Sequence, residues 1–282
     1  KERHLRVVQI PAHRGMILDR NGQPLAVSTP VDSIWMNPQE ISPVSGRISQ
    51  LAHALGVRSH DVMSLLRQNH DKEFVYLVRD LDPYAAHKVM ALNIPGVYTQ
   101  REYRRYYPAG EVAAQVLGFT NVDDVGQEGL ELAYNDWLHG IPGAERVIVD
   151  RYGRSVQDVE SLRAPRPGKD LVASIDLRVQ YLAYRALKQA VLEQGAESGS
   201  IIVMDAKTGE VLAMADQPSF NPNNRGDYQA GAYRNRAVTD QFEPGSSMKP
   251  FTIEIGRASC WGRLLFSVVA GCFKRGGGGG GG

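Results

Sequence analysis

The chain has 282 residues, a formal net charge of +1, and 43% hydrophobic against 22% charged residues. That balance excludes a disordered polypeptide and gives no electrostatic case for a nucleic-acid partner; nor is there a run of about 20 apolar residues such as a spanning helix needs. The length suits two domains of roughly 100–150 residues each.

Residues 1–40 read as extended structure. Asp19-Arg20-Asn21-Gly22 is a hairpin turn, because Asn-Gly readily supplies positive φ. Arg14 and Asp19 read as a structural salt bridge or turn cap rather than a catalytic pair. Residues 44–70 read helical, with Ile48, Leu51, Leu55, Val62, Leu65 and Leu66 at helical spacing and a break at Gly56. Phe74 to Val78 is a strand and Pro83 to Leu92 a short helix. Arg104-Arg105 beside Tyr106-Tyr107 reads as a strand with alternating faces rather than a base-stacking patch. Ala109 to Leu117 is helical after Pro108. Gly129 to Leu138 is a further short helix with Trp137 in a core. Val147-Ile148-Val149 leads into a turn at Asp150-Arg151-Tyr152-Gly153. Ala164-Pro165-Arg166-Pro167-Gly168 is the best linker in the chain.

Beyond it, Leu171 to Ile175 is a strand and Asp176 an N-cap. A long helix follows, with Val179, Leu182, Ala183, Ala186, Leu187, Ala190 and Val191 on one stripe. Ser200 to Met204 and Glu210 to Met214 form a hairpin around Asp205 to Gly209. The seven histidines are scattered, and Asp123, Asp124, Glu128 and Glu131 read as solvated loop charges, so no metal or cofactor is expected.

The chemistry is concentrated in Phe242-Glu243-Pro244-Gly245-Ser246-Ser247-Met248-Lys249-Pro250. A serine hydroxyl needs a base within hydrogen-bond reach to act as a nucleophile. Residues three apart share a helix face, so Ser246 and Lys249 meet on one turn. Pro244-Gly245 feeds that turn, and Pro250 is tolerated only near a helix start. Ser246 is thereby placed at a helix N-terminus, where free N–H groups favour developing negative charge. A lysine used as base requires burial.

The blocks around this segment resemble the class B penicillin-binding proteins, and within them the division-specific septal type. They run from Arg14-Gly15-Met16-Ile17-Leu18-Asp19-Arg20-Asn21-Gly22 through Arg104-Arg105-Tyr106-Tyr107-Pro108-Ala109-Gly110-Glu111 and Gly118-Phe119-Thr120-Asn121-Val122-Asp123 to Gly126-Gln127-Glu128-Gly129-Leu130-Glu131. Asp150-Arg151-Tyr152-Gly153-Arg154, Asp205 to Met214 and Asn221-Pro222-Asn223-Asn224 continue the series in order, and the active-serine segment closes it.

The resemblance implies an α+β chain. A pedestal (penicillin-binding protein dimerisation) domain covers 1–165, and the incomplete start of a β-lactamase-like serine transpeptidase domain covers 170–253. It implies Ser246 as the acylated nucleophile and Lys249 as its activating lysine. The implied reaction is peptidoglycan D,D-transpeptidation on D-Ala-D-Ala stem peptides, with β-lactams as mimics acylating the same serine. Implied partners are the septal glycosyltransferase and other division proteins, and no nucleic acid. The implied location is the periplasmic side of the bacterial inner membrane, through an N-terminal anchor upstream of Lys1. The family's companion motifs, S-x-N and K-T-G, are expected to be missing, so the polypeptide as written should not be a competent enzyme. Two alternatives stay open: a non-catalytic interaction module of the division complex, and the elongation-specific class B paralogue.

After Ile253 the text turns foreign. Glu254-Ile255-Gly256-Arg257-Ala258 is the translation of a widely used sequencing adapter, and the chain closes on a glycine run from Gly276 to Gly282. Residues 254–282, which hold both cysteines, Cys260 and Cys272, are expected to be a non-native tail.

Overall fold

The computed structural model describes residues 4–41, 45–149, 155–224, 231–243, 245–250 and 269–273. In chain order the strands and helices are β1 (His4–Ile10), β2 (Ile17–Leu18), β3 (Pro24–Met36), α1 (Ser45–Leu55), α2 (Ser59–Gln68), β4 (Val75–Leu81), α3 (Pro83–Ala91) and β5 (Val97–Tyr106). They continue with α4 (Ala114–Leu117), α5 (Gly129–Ala133), α6 (Asn135–Leu138), β6 (Gly143–Val149), β7 (Ser155–Arg163), β8 (Leu171–Val172), α7 (Leu177–Gln194), β9 (Ser198–Met204), β10 (Val211–Gln217), α8 (Arg236–Thr239) and β11 (Val269–Phe273).

These elements form two compact units, each assembled from three stretches. The first takes the described residues of Lys1–Gly15, Ser28–Arg105 and His139–Lys169; the second those of Met16–Val27, Tyr106–Leu138 and Asp170–Gly282.

In the first unit, β3 pairs antiparallel with β4, Ile34 opposite Val78 and Trp35 opposite Tyr76, and also pairs with β5. Helices α1, α2 and α3 cover this sheet. Their apolar stripes place Ile48, Leu51, Ala52, Val62, Ala86 and Val89 in one core with Ile34, Met36 and Val97. Asp82 caps α3 by accepting from Tyr84 N–H, with Pro83 at the first helical position, where its missing N–H costs nothing. A second sheet has the order β1–β6–β7, antiparallel throughout. Glu102 on β5 is a polar hub: it accepts from Tyr76 Oη at 2.8 Å, from both Arg79 Nε and Nη2 at 3.2 Å, and from Ser33. The alternation expected around Arg104-Arg105 is present, with Arg105 and Tyr107 buried and Arg104 and Tyr106 exposed.

In the second unit, Asp19 to Gly22 turns β2 back onto the start of β3, with Ile17 opposite Ala26 and Gly22 at φ +80°. β8 joins β2 in parallel, Ile17 opposite Leu171. Ile17, Leu25, Tyr107, Leu117, Leu138 and Ile175 share one core. β9 and β10 form the expected hairpin, and α7 packs across it through Tyr184, Leu187 and Ala215. β11 pairs antiparallel with β9, Val269 opposite Ile202. The rest of 254–282 lies outside the described residues, as does the turn expected at Asp150 to Gly153.

Three local expectations are corrected. Leu182 and Ala186, expected on the apolar stripe of α7, are exposed; the buried face runs through Gln180, Ala183, Tyr184 and Leu187, because that is the side that meets the β9–β10 hairpin. Trp137 is 49% exposed instead of sitting in a core; its indole N–H donates to the Asp170 carbonyl at 3.1 Å, so the ring lies along the surface. Glu131 is not a solvated loop charge but fully buried; on the backbone side, Gly126 approaches so near that a Cβ there would lie 2.0 Å from the Glu131 carbonyl oxygen.

Candidate active site

The candidate site belongs to the second unit, which also holds the β9–β10 hairpin backed by α7. Asp176 starts α7, accepting from Arg178 N–H at 3.0 Å. The Arg178 guanidinium, followed by Asn21, holds the Asp176 carboxyl well below the usual carboxylate range. The neighbouring Asp19 is buried, which pushes its carboxyl up. Backbone N–H groups of Gln23, Leu177 and Asn21 more than offset this, leaving it lowered. Asp19 thus caps a turn, as expected. Further along α7, Gln180 is fully buried and ties β10 to the 3-10 turn Gly110–Ala113 through Met214 and Val112. On the same helix Lys188 bridges Glu111 at 3.1 Å and Tyr184 Oη at 3.0 Å. Burial raises the Tyr184 hydroxyl, and Glu111 adds to it.

At its far end β10 runs into Asp216, only 1% exposed, whose Oδ1 accepts from Ser200 Oγ at 2.5 Å and from Ala237 N–H at 3.1 Å. Burial pushes this carboxyl up. The sequence reading did not single it out, because Asp216-Gln217-Pro218 looks like an ordinary strand end; only the register with Ser200 exposes it. From Ala237 the chain continues through α8 to a one-turn 3-10 helix, Gly245–Met248, which carries Ser246. Gly245 stands at φ +54°, the left-handed conformation that glycine accepts without a Cβ penalty.

Ser246 and Lys249 thus fall on consecutive turns of helical backbone, with Lys249 and Pro250 continuing as helix. Both Ser246 and Lys249 are exposed, so the burial expected for Lys249 is absent among the described residues. Pro244 lies outside the described residues.

The expectation that both companion motifs are missing needs a correction at the level of letters. Lys207-Thr208-Gly209 and Ser219-Phe220-Asn221 occur, but ahead of Ser246 and in structural roles. The first is the β9–β10 turn, where Asp205 accepts from Lys207 and Thr208 N–H and Gly209 sits at φ +77°. In the second, Ser219 donates to the Glu111 carbonyl and Asn221 accepts from Asn223 N–H. Neither offers the N–H of a strand edge to an oxyanion beside Ser246.

A groove of about 390 Å³ lies elsewhere in this unit, lined by Val116, Leu130, Tyr134, Ile175, Met214 and Asn235. Ser246 does not line it. Among the described residues no cluster of three or more His, Cys, Asp or Glu could hold a metal, and no helix is long and apolar enough to cross a membrane.

The second unit thus combines a helix-backed hairpin with a serine three residues ahead of a lysine on helical backbone, in a mixed α+β chain. Comparison with known proteins places this combination in a family. Residues 9–173 match the penicillin-binding protein dimerisation domain, and residues 199–259 the penicillin-binding protein transpeptidase domain. The chain belongs to the class B penicillin-binding proteins. It is 47% identical to the Pseudomonas aeruginosa protein named "Probable peptidoglycan D,D-transpeptidase PbpC", covering 91% of this chain and 46% of the relative. It is 46% identical to peptidoglycan D,D-transpeptidase FtsI of Escherichia coli K12, covering 89% and 43%. The chain therefore spans somewhat under half the length of these curated relatives. Among solved structures, a peptidoglycan synthetase from Bifidobacterium adolescentis superimposes with a TM-score of 0.59 at 25% identity, covering 90% of this chain and 51% of that one. Penicillin binding protein 2X from Streptococcus thermophilus gives 0.60 at 24% identity, with coverages of 86% and 40%, and shares the fold.

Proposed function

We propose that the chain is the front part of a septal peptidoglycan D,D-transpeptidase, with a pedestal over 1–165, the start of the catalytic domain over 170–253 and a non-native tail over 254–282. The observation that carries the reading is the order of the two family matches, with Ser246 and Lys249 inside the second. Ser246 Oγ attacks the carbonyl carbon of the penultimate D-Ala of a stem peptide and passes its proton to the Lys249 amine. The amide bond breaks, the proton goes to the departing amine, and terminal D-Ala leaves. An amine from a neighbouring stem attacks the resulting ester, loses a proton and frees Ser246. β-Lactams enter the first step and stop there.

Asn221-Pro222-Asn223-Asn224 and the wording of Phe242 to Pro250 favour the septal over the elongation type. The pedestal serves as the platform for a lipid-II-polymerising partner, on the periplasmic face of the inner membrane. The exposure of Ser246 and Lys249 favours a second reading for this polypeptide taken alone, that of a non-catalytic module of the division complex. Fluorescent-penicillin labelling separates the two. The full-length protein should label and release D-Ala from a stem peptide, and the 282-residue chain should not. A full-length protein that stays unlabelled at saturating penicillin would refute the catalytic reading.

A further inference from the structure

Around Asp216 on β10 and residues 231–240 lies a charged cluster to which the transpeptidase reading gives no task. Asp216 is its fixed point: the carboxylate holds the Ser200 hydroxyl on β9 and the Ala237 N–H on α8, so one oxygen joins sheet to helix. Its other oxygen, Oδ2, is buried with no hydrogen-bond partner among the described residues, and so is Arg236 Nε, on the residue before Ala237. The rest of the Arg236 guanidinium spans the segment, donating to the Gly231 carbonyl at 3.4 Å and pairing with Asp240 at 3.3 Å. Arg234 closes the other side, meeting Asp240 at 2.5 Å and donating to Thr239 Oγ1 at 3.0 Å. Thr239 in turn donates to the Asn235 carbonyl. Two guanidiniums, two carboxylates and a hydroxyl thus brace residues 231–240, and Ser246 follows only six residues on.

Buried polar atoms without partners are uncommon in native proteins, and each calls for a reason. A buried carboxylate is also costly unless compensated. Desolvation raises the Asp216 carboxyl, while the Ser200 hydroxyl, the Ala237 and Arg236 N–H groups and the Arg236 charge work against it. A short helix such as α8, four residues long, cannot hold its own orientation by propensity. Something outside it must do so: Asp216 on the sheet accepts from Ala237 N–H in its first turn, and Met214 Sδ accepts from the Asn235 side chain at its N-cap.

We infer that Asp216 is a positioning residue for acylation: through Ala237, Arg236 and Asp240 it orients the segment that delivers Ser246. The inference rests on the reading of Ser246 as the nucleophile. Misplacement of a reacting group by about 1 Å can cost on the order of 10²-fold in rate, which sets the size of the expected effect.

The test is stopped-flow acylation of the full-length protein by a chromogenic β-lactam, separating the binding constant from the first-order acylation constant. Rates are normalised to the active fraction given by burst amplitude. Asp216→Asn keeps an acceptor for Ser200 and Ala237 but removes the charge that faces Arg236. It should lower the acylation constant by about 10-fold, with the binding constant within twofold. Asp216→Ala should lower it by about 100-fold. Should Asp216→Ala fail to fold, Arg236→Lys serves in its place. It keeps a charge but loses the two-ended grip on Gly231 and Asp240, and should give the same first-order defect. A purely structural Asp216 would reduce melting temperature and burst amplitude while leaving the normalised constant untouched, and that result overturns the inference. A parent protein that gives no burst at all removes the nucleophile reading itself, and the inference falls with it.

Discussion

Gln180 and Met214 bond in both directions: the Gln180 Nε2 donates to the Met214 carbonyl at 2.8 Å, and its Oε1 accepts from the Met214 N–H at 2.8 Å. A fully buried side-chain amide on α7 therefore serves β10 as a neighbouring strand would, and its remaining N–H satisfies the Val112 carbonyl at 2.7 Å. Replacing Gln180 by Leu keeps the approximate volume but leaves three backbone groups buried without partners. Each such loss costs about 1–3 kcal/mol, so Gln180→Leu should destabilise the chain by about 4 kcal/mol. Gln189→Leu, on the exposed side of the same helix, should fall within about 0.5 kcal/mol of the parent. Equilibrium urea unfolding measures both. A Gln180→Leu cost below about 1 kcal/mol would mean that these groups find other partners.

Asp176 gives a prediction in pH. Its folded-state carboxyl is depressed below the unfolded value of 3.8, first by the Arg178 side chain and then by Asn21. A depressed acid stabilises the fold in full above its unfolded value, and that stability drains away as pH falls through the lower, folded value. Asp176→Ala should therefore be less stable than the parent at neutral pH, and the gap should close as the pH drops below 3.8. Asp176→Asn retains an N-cap acceptor and should lose only the pH-dependent part. Unfolding free energies followed from pH 7 into acid would contradict this if the gap were constant.

Two glycines with similar backbone angles should behave very differently. Gly118 stands at φ +73°, and a Cβ there would lie 1.9 Å from the Glu128 carbonyl oxygen; Gly209 stands at φ +77° with nothing within 4 Å of its Cβ position. Gly209→Ala carries only the left-handed penalty of about 1–2 kcal/mol. Gly118→Ala adds a backbone collision that no rotamer can relieve and should cost more than about 4 kcal/mol. Thermal melts of the pair check the contrast, and equal costs would show that the 118–129 loop can move aside.

Much of this was legible in the sequence because its causes are local. The Asn21-Gly22 turn, the Asp176 cap, the existence of a long α7 and the β9–β10 hairpin each follow from a few neighbouring residues, and each is present. What the sequence did not display depends on distant partners. The two units interleave because β2 pairs with β8 across more than 150 residues, which no linker composition announces. Glu131 looked like a surface charge because burial of a carboxylate leaves no periodic signal. Gln180 lies on the buried face of α7 but is polar, so no apolar stripe points to it, and its role is set by Met214 and Val112 from other segments. The letters Lys207-Thr208-Gly209 show the opposite failure, since a motif string carries no meaning until its place in the fold is known.

Lysine removal tests the proton path. Lys249→Ala in the full-length protein should lower β-lactam acylation by about 10²–10⁴-fold, the usual worth of a positioned general base. The melting temperature should barely change, since Lys249 is exposed. Near-parental acylation rates would assign deprotonation of Ser246 to another group.

The central claim is that Ser246 carries the acyl group, and peptide mapping tests it most directly. The full-length protein is incubated with a β-lactam, digested, and the peptide spanning Phe242 to Lys249 weighed. One covalent adduct on Ser246 is expected, lost in Ser246→Ala although that variant melts at the parental temperature. An adduct on Ser247 or on any other residue, or one that persists in Ser246→Ala, would contradict it.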